Sequence, residues 1–115
     1  MKKIDRKRGI IFWITGMSGS GKTSISNKIH QHIETKFGPT LIISGDDLRD
    51  IFDLGGYTKK KRLIISKKYS KFCKFITDQK INLIFSTGSL FHEIQNINRK
   101  SIKNYIEIYI HAKIK

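Results

Sequence analysis

The sequence predicts an α/β fold, a parallel sheet of about four strands with helices on both faces, in one domain over residues 1–115. Two observations carry this. Short apolar runs alternate along the chain with longer segments whose apolar residues recur at three- and four-residue steps. A strand–helix alternation of this kind closes into a parallel sheet, because each crossover helix must return the chain to the same end. The second observation is a glycine-rich turn, Gly16-Met17-Ser18-Gly19-Ser20-Gly21-Lys22-Thr23, set between the first apolar run and the first helical pattern.

Each element has its own signal. Ile10-Ile11-Phe12-Trp13-Ile14 is a continuous apolar run, as expected of a strand buried on both faces. Behind the glycine-rich turn, Ile25, Ile29 and Ile33 recur every four residues and mark a helix that stops at Gly38-Pro39. Leu41-Ile42-Ile43 is a short second strand ending at Ser44-Gly45-Asp46-Asp47, where Asp46 or Asp47 is expected to cap a short helix through Phe52. Leu54-Gly55-Gly56-Tyr57-Thr58 reads as a loop. From about Lys59 to Gln79, Leu63, Ile64, Tyr69, Phe72, Cys73 and Ile76 suit a long amphipathic helix. Ile81–Phe85 is a third strand, Ser86–Ser89 a loop, Phe91–Lys103 roughly a helix, and Tyr105–Ile110 a fourth strand.

The glycine-rich turn fits the pattern Gly, four residues, Gly-Lys-Ser/Thr. Its place between strand and helix makes it a phosphate cradle, and the fold a P-loop NTPase type. The glycines let consecutive N–H groups turn inward, and the helix start adds unpaired donors and the positive end of its dipole. ATP is therefore expected on Gly16, Ser18, Gly19, Ser20, Gly21, Lys22, Thr23 and Ser24. Lys22 reaches the terminal phosphates, and the Thr23 hydroxyl holds Mg²⁺. Ligands of open parallel sheets bind beyond the carboxyl ends of the strands. The P-loop, Ser44–Arg49 and Ser86–Ser89 all fall at those ends, which places the site.

Bulk properties narrow the function. Hydrophobic residues make up 38% and charged residues 28%, with a formal net charge of +14. No apolar run has the length of a membrane span, and the basic start runs straight into a strand, so the chain is expected to be cytoplasmic. The lysines are scattered, only Lys59-Lys60-Lys61-Arg62 being dense. Compositional drift and attraction of anionic nucleotides account for the charge ahead of a nucleic-acid role, since zinc-ligand spacing and RNA-binding aromatic motifs are both lacking. The single cysteine, Cys73, reads as a small core residue. His30, His32, His92 and His111 read as surface positions, and Ser89 as a loop or cap residue before a nucleophile.

With the P-loop, the Gly45-Asp46-Asp47-Leu48-Arg49 segment and Gly56-Tyr57-Thr58 to Arg62 in view, the chain resembles the adenylylsulfate kinases from about Gly9 to Ile110. The resemblance implies phosphorylation of the ribose 3′-hydroxyl of adenylyl sulfate with MgATP, a small-molecule nucleotide partner, and leaves a homodimer open. It implies that Asp46 orients the acceptor hydroxyl or holds Mg²⁺ through water. Arg49 contacts the acceptor, Tyr57 stacks on its adenine and Arg62 binds its phosphosulfate. Lys22, Asp46 and Ser89 form the implied catalytic set. Ser44 stands where the family has an Asp, Ile65 where it has an acceptor-contacting Asn, and Gly88-Ser89-Leu90-Phe91 where it has Ile-Ser-Pro-Tyr.

The family pattern also continues past position 115 with a lid and a last strand, so the chain alone is expected to be a poor enzyme of marginal stability. Related readings are a P-loop kinase acting on another acceptor, from nucleoside or polysaccharide metabolism, and a non-catalytic nucleotide binder.

Overall fold

The computed structural model describes residues 3–17, 19, 21–88 and 91–111. The chain runs β1 (Ile11–Thr15), α1 (Lys22–Phe37), β2 (Thr40–Ser44), α2 (Gly45–Phe52), α3 (Lys59–Asp78), β3 (Asn82–Thr87), α4 (His92–Ser101) and β4 (Tyr105–Tyr109). All strand pairs are parallel, in the order β2-β3-β1-β4. The expected α/β fold is thus present, with β1 in the interior of the sheet and its carboxyl end opening on the glycine-rich turn.

All five residues of β1 are buried. Alternation sends Ile11 and Trp13 to one face, where they pack with Leu48 of α2, Ile65, Tyr69 and Cys73 of α3, and Ile94 of α4. Phe12 and Ile14 go to the other face, against Ile33 of α1, with Ile25, Ile29, Ile106 and Ile108 at the margin. Helices therefore cover both faces. Trp13 and Phe85 sit 5.0 Å apart between ring centroids, and Tyr69 packs against Phe85 at 5.2 Å with the rings tilted by 57°. Cys73 is fully buried, as the sequence predicts, and burial pushes its thiol pKa well up.

Buried amides stitch the amino-terminal segment to the sheet. Asn104 accepts from the Asp5 N–H at 2.7 Å and donates to the carbonyls of Asp5 and Gly9 at 2.7 and 3.1 Å. Asn82 accepts from the Ile10 N–H at 2.9 Å and donates to the Phe37 carbonyl at 3.2 Å. Each satisfies polar groups that would otherwise be stranded at the amino ends of the strands.

Four local expectations are corrected. The N-cap of α2 is Ser44, not Asp46 or Asp47: its hydroxyl accepts from the Asp47 N–H at 3.1 Å, and the Asp47 carboxylate accepts from the Ser44 N–H at 2.9 Å. This reciprocal pair is a capping box, and it puts Ser44 in β2 and Asp46 in the first helical turn, not in a loop. Ser86 and Thr87 belong to β3. Ile64 is 47% exposed, because the core-facing stripe of α3 runs through Ile65, Tyr69 and Cys73 instead. His30 is half-buried and donates to the Thr40 carbonyl at 2.8 Å, tying α1 to β2, so it is not a bare surface position.

Candidate functional site

The glycine-rich turn lies where β1 hands over to α1. Gly19 and Gly21 have φ values of 80° and 97°, in the left-handed region, and a Cβ on either would meet nothing within 4 Å. It is the left-handed backbone conformation, not lack of room, that favours glycine at both positions. Gly21 is also the N-cap of α1, which has no side-chain cap and no acidic residue in its first turn. The contrast with its neighbours is informative: Ser44 caps α2, and Thr58 caps α3 by accepting from the Lys61 N–H at 3.2 Å. The first N–H groups of α1 thus have no side-chain cap among the described residues, as is also true of α4. Lys22 folds back over the turn and donates to the carbonyls of Gly16 and Met17 at 2.7 and 3.0 Å. Thr23 and Ser24, next along the helix, are exposed at its start. Ser18 and Ser20 lie outside the described residues.

At the carboxyl ends of β1, β2 and β3 a cleft of about 450 Å³ opens. Lys22 and Thr23 line one side, Asp46, Arg49, Tyr57, Arg62 and Tyr69 another, and the end of β3 a third. The loops after β1 and β3 come close, since a Cβ on Gly88 would stand 3.9 Å from the Gly16 carbonyl oxygen. Apart from Ser89, which lies outside the described residues, every predicted catalytic, acceptor and metal residue borders this one cleft.

The side of the cleft that the resemblance assigns to the acceptor is basic. Arg49 is half-buried, donates to the Leu54 carbonyl at 3.1 Å and lies over the Tyr57 ring. Arg62 lies 5.9 Å from the Phe91 ring centroid. Tyr57 is 83% exposed. Ile65, at a position the resemblance associates with an acceptor contact, is 5% exposed and packs in the core cluster. Tyr69, assigned by its periodicity to the core, borders the cleft as well. It lies one helical turn beyond Ile65, and that four-residue step is the signal in the sequence that could have found it.

The donor set fits a magnesium nucleotide. Among the described residues no group of three or more His, Cys, Asp or Glu side chains could hold a metal by itself. Mg²⁺ needs no such cage, since it is usually held by one or two protein oxygens together with phosphate oxygens and water. Thr23 and Asp46 open on the same cleft and supply one hydroxyl and one carboxylate.

The family model described as adenylylsulphate kinase matches residues 8–115. The chain belongs to the adenylylsulphate kinase family. Among curated relatives it is 41% identical over 100 residues to the cytidine diphosphoramidate kinase of Campylobacter jejuni, a match covering 87% of this chain and 59% of the relative. It is 26% identical over 110 residues to the adenylyl-sulfate kinase of Gloeothece citriformis, covering 95% and 62%. The chain thus spans about three-fifths of these two relatives. The solved structure of the Mycobacterium tuberculosis APS kinase, in complex with AMPPNP and APS, superposes with a TM-score of 0.74 at 25% identity, over 93% of this chain and 65% of that one. The P-loop kinase fold of the adenylylsulphate kinases is therefore shared. Among the described residues no helix is long and apolar enough to cross a membrane.

Proposed function

We propose that this chain carries the phosphoryl-transfer site of an ATP-dependent kinase. Its acceptor is the ribose 3′-hydroxyl of a nucleotide whose 5′-phosphate bears a second anionic group. The observation that supports it is the meeting of the P-loop cation Lys22 with Asp46, Arg49 and Arg62 around one cleft. Phosphoryl transfer asks the protein mainly for positioning and charge neutralisation. The P-loop N–H groups and Lys22 hold the triphosphate, with Lys22 exchanging the Gly16 and Met17 carbonyls for phosphate oxygens. Thr23 and Asp46 would hold Mg²⁺, which would offset the charge on the transferring group. Asp46 also orients the acceptor hydroxyl, and Arg49 and Arg62 bind the acceptor's anionic tail.

Two acceptors fit this chemistry. In both adenylyl sulfate and cytidine diphosphoramidate a nucleoside phosphate is extended by a tetrahedral group with one negative charge. An arginine pair does not separate sulfate from phosphoramidate, so discrimination falls to the base. Cytidine diphosphoramidate is the first reading, favoured by the 41% relative and by Ser44 and Ile65, which depart from the pattern of the adenylyl-sulfate enzymes. Adenylyl sulfate is the second, favoured by the family match over residues 8–115. A coupled ADP-release assay over a panel of acceptors tests both. Turnover of a nucleotide anhydride is expected, with the cytidine compound ahead. Phosphorylation of a neutral sugar with both nucleotides ignored would overturn the assignment.

A further inference from the structure

Tyr69 joins the acceptor side of the cleft to the sheet. Its hydroxyl donates to the Gly45 carbonyl at 3.1 Å across 24 positions of sequence. Gly45 opens α2 and directly precedes Asp46. A Cβ on Gly45 would stand 3.1–3.2 Å from the Tyr69 ring and hydroxyl, so the backbone here lies flat against the phenol. The ring also packs against Phe85, which is fully buried in β3. A carbonyl oxygen has two lone pairs, so this one can take the tyrosine together with its helical partner. Burial pushes the Tyr69 phenol up, with Arg49 opposing and Asp46 adding to the rise. The group therefore stays protonated at neutral pH and keeps its donor.

Short helices have few contacts of their own. The first turn of α2 is held from within by the Ser44–Asp47 box and from outside by Tyr69. The box ties the turn to the edge strand β2, which Ser44 ends, whereas Tyr69 ties it through Phe85 to β3, the strand that pairs with β1 and so neighbours the P-loop. We propose that Tyr69 is a positioning residue for phosphoryl transfer: its hydroxyl fixes the start of α2 so that Asp46 and Arg49 are presented to the cleft in register with Lys22. This rests on the reading of the cleft as an acceptor site.

The test is Tyr69→Phe, which keeps the ring and removes the donor. Expected are a fall in kcat of about tenfold or more, ATP affinity unchanged within about twofold, and a thermal midpoint close to that of the parent protein. In an Asp46→Asn background the same change should cost less than about twofold, because the two act through one group. Additive losses, or an unchanged kcat, would overturn the proposal. Amide hydrogen exchange reads the positioning without any turnover. Tyr69→Phe should accelerate exchange at Asp46–Leu48 about tenfold, while Ser70→Ala, whose hydroxyl bonds the Ser66 carbonyl within α3, leaves those amides alone. Uniform acceleration along the chain, or none at α2, would sink it. If the parent protein phosphorylates no nucleotide, the functional reading fails, and the exchange pattern alone decides for or against the positioning role.

Discussion

The Arg49 guanidinium lies over the ring of Tyr57, 5.1 Å from its centroid. Two residues that the resemblance assigns separately, Arg49 to a contact with the acceptor and Tyr57 to stacking on its base, are in contact with each other. Arg49 is held in place by the ring and by the Leu54 and Gly56 carbonyls, so its fork is aimed before any ligand arrives. Arg49→Lys keeps the charge and loses this hold. The acceptor KM should rise about tenfold, the lower end of what a charge-assisted hydrogen bond is worth, with the ATP KM unmoved. Tyr57→Ala, at an exposed ring, should raise the acceptor KM only about threefold. Steady-state kinetics with varied acceptor at saturating ATP measures both, and a larger loss from Tyr57→Ala would reverse the ranking.

Lys22 and Lys28 lie on the same helix, but only Lys22 reaches the glycine-rich turn. Lys22→Ala should weaken MgATP binding by about ten- to a hundredfold. Lys28→Ala, at an exposed position on α1, should leave it within about twofold. Titration calorimetry separates the two, and equal effects would refute the cradle.

Asp46 and Asp47 are neighbours with different work. Asp47 completes the capping box, so Asp47→Ala should lower stability by about 0.5–2 kcal/mol and leave turnover nearly intact. Asp46 borders the cleft without a part in that box. Asp46→Asn should lower kcat about a hundredfold, at the low end for a proton-handling carboxylate, with ATP affinity and thermal midpoint retained. The reverse pattern would mean the catalyst is Asp47.

Stability should be flat through neutral pH and fall in alkali. Burial pushes the Cys73 thiol well above its ordinary value of 9.0 and the Tyr105 phenol above 10.0. In the unfolded chain both groups lose their protons near those ordinary values, whereas in the fold they retain them. Their contribution is therefore complete below pH 9 and is lost as pH climbs past it, each group adding a slope of up to about 1.4 kcal/mol per pH unit. Denaturant midpoints taken across alkaline pH check this. Cys73→Ala should flatten the first part of the decline, and an unchanged slope would exclude the thiol.

Much of this was readable from residue order. The interior strand announced itself because β1 is buried on both faces, which leaves no alternation to misread. The P-loop was legible because its chemistry depends on local spacing. The start of α2 was misread because Ser and Asp are comparable N-caps, and a one-residue choice among Ser44, Asp46 and Asp47 is made by the end of β2, not by propensity. Ile64 and Ile65 are adjacent and equally apolar, and only the packing of α3 on the sheet decides which is covered. Tyr69 escaped notice as a site residue because it is both: its ring belongs to the core and its hydroxyl to the cleft.

The strand order also has a consequence for how the chain is made. β1 is complete by Thr15, yet its partners are β3, beginning at Asn82, and β4, beginning at Tyr105. During synthesis the most apolar strand of the protein therefore waits, unpaired on both edges, for most of the chain to follow it. The Asn104 clamp on Asp5 and Gly9 closes the longest loop of all. Contacts so distant in sequence are slow to form, since the entropy of closing the loop must be met first. A nascent chain interrupted before β3 exposes Ile11, Phe12, Trp13 and Ile14 together, which makes the segment that later anchors the glycine-rich turn the natural target of chaperones while translation is under way.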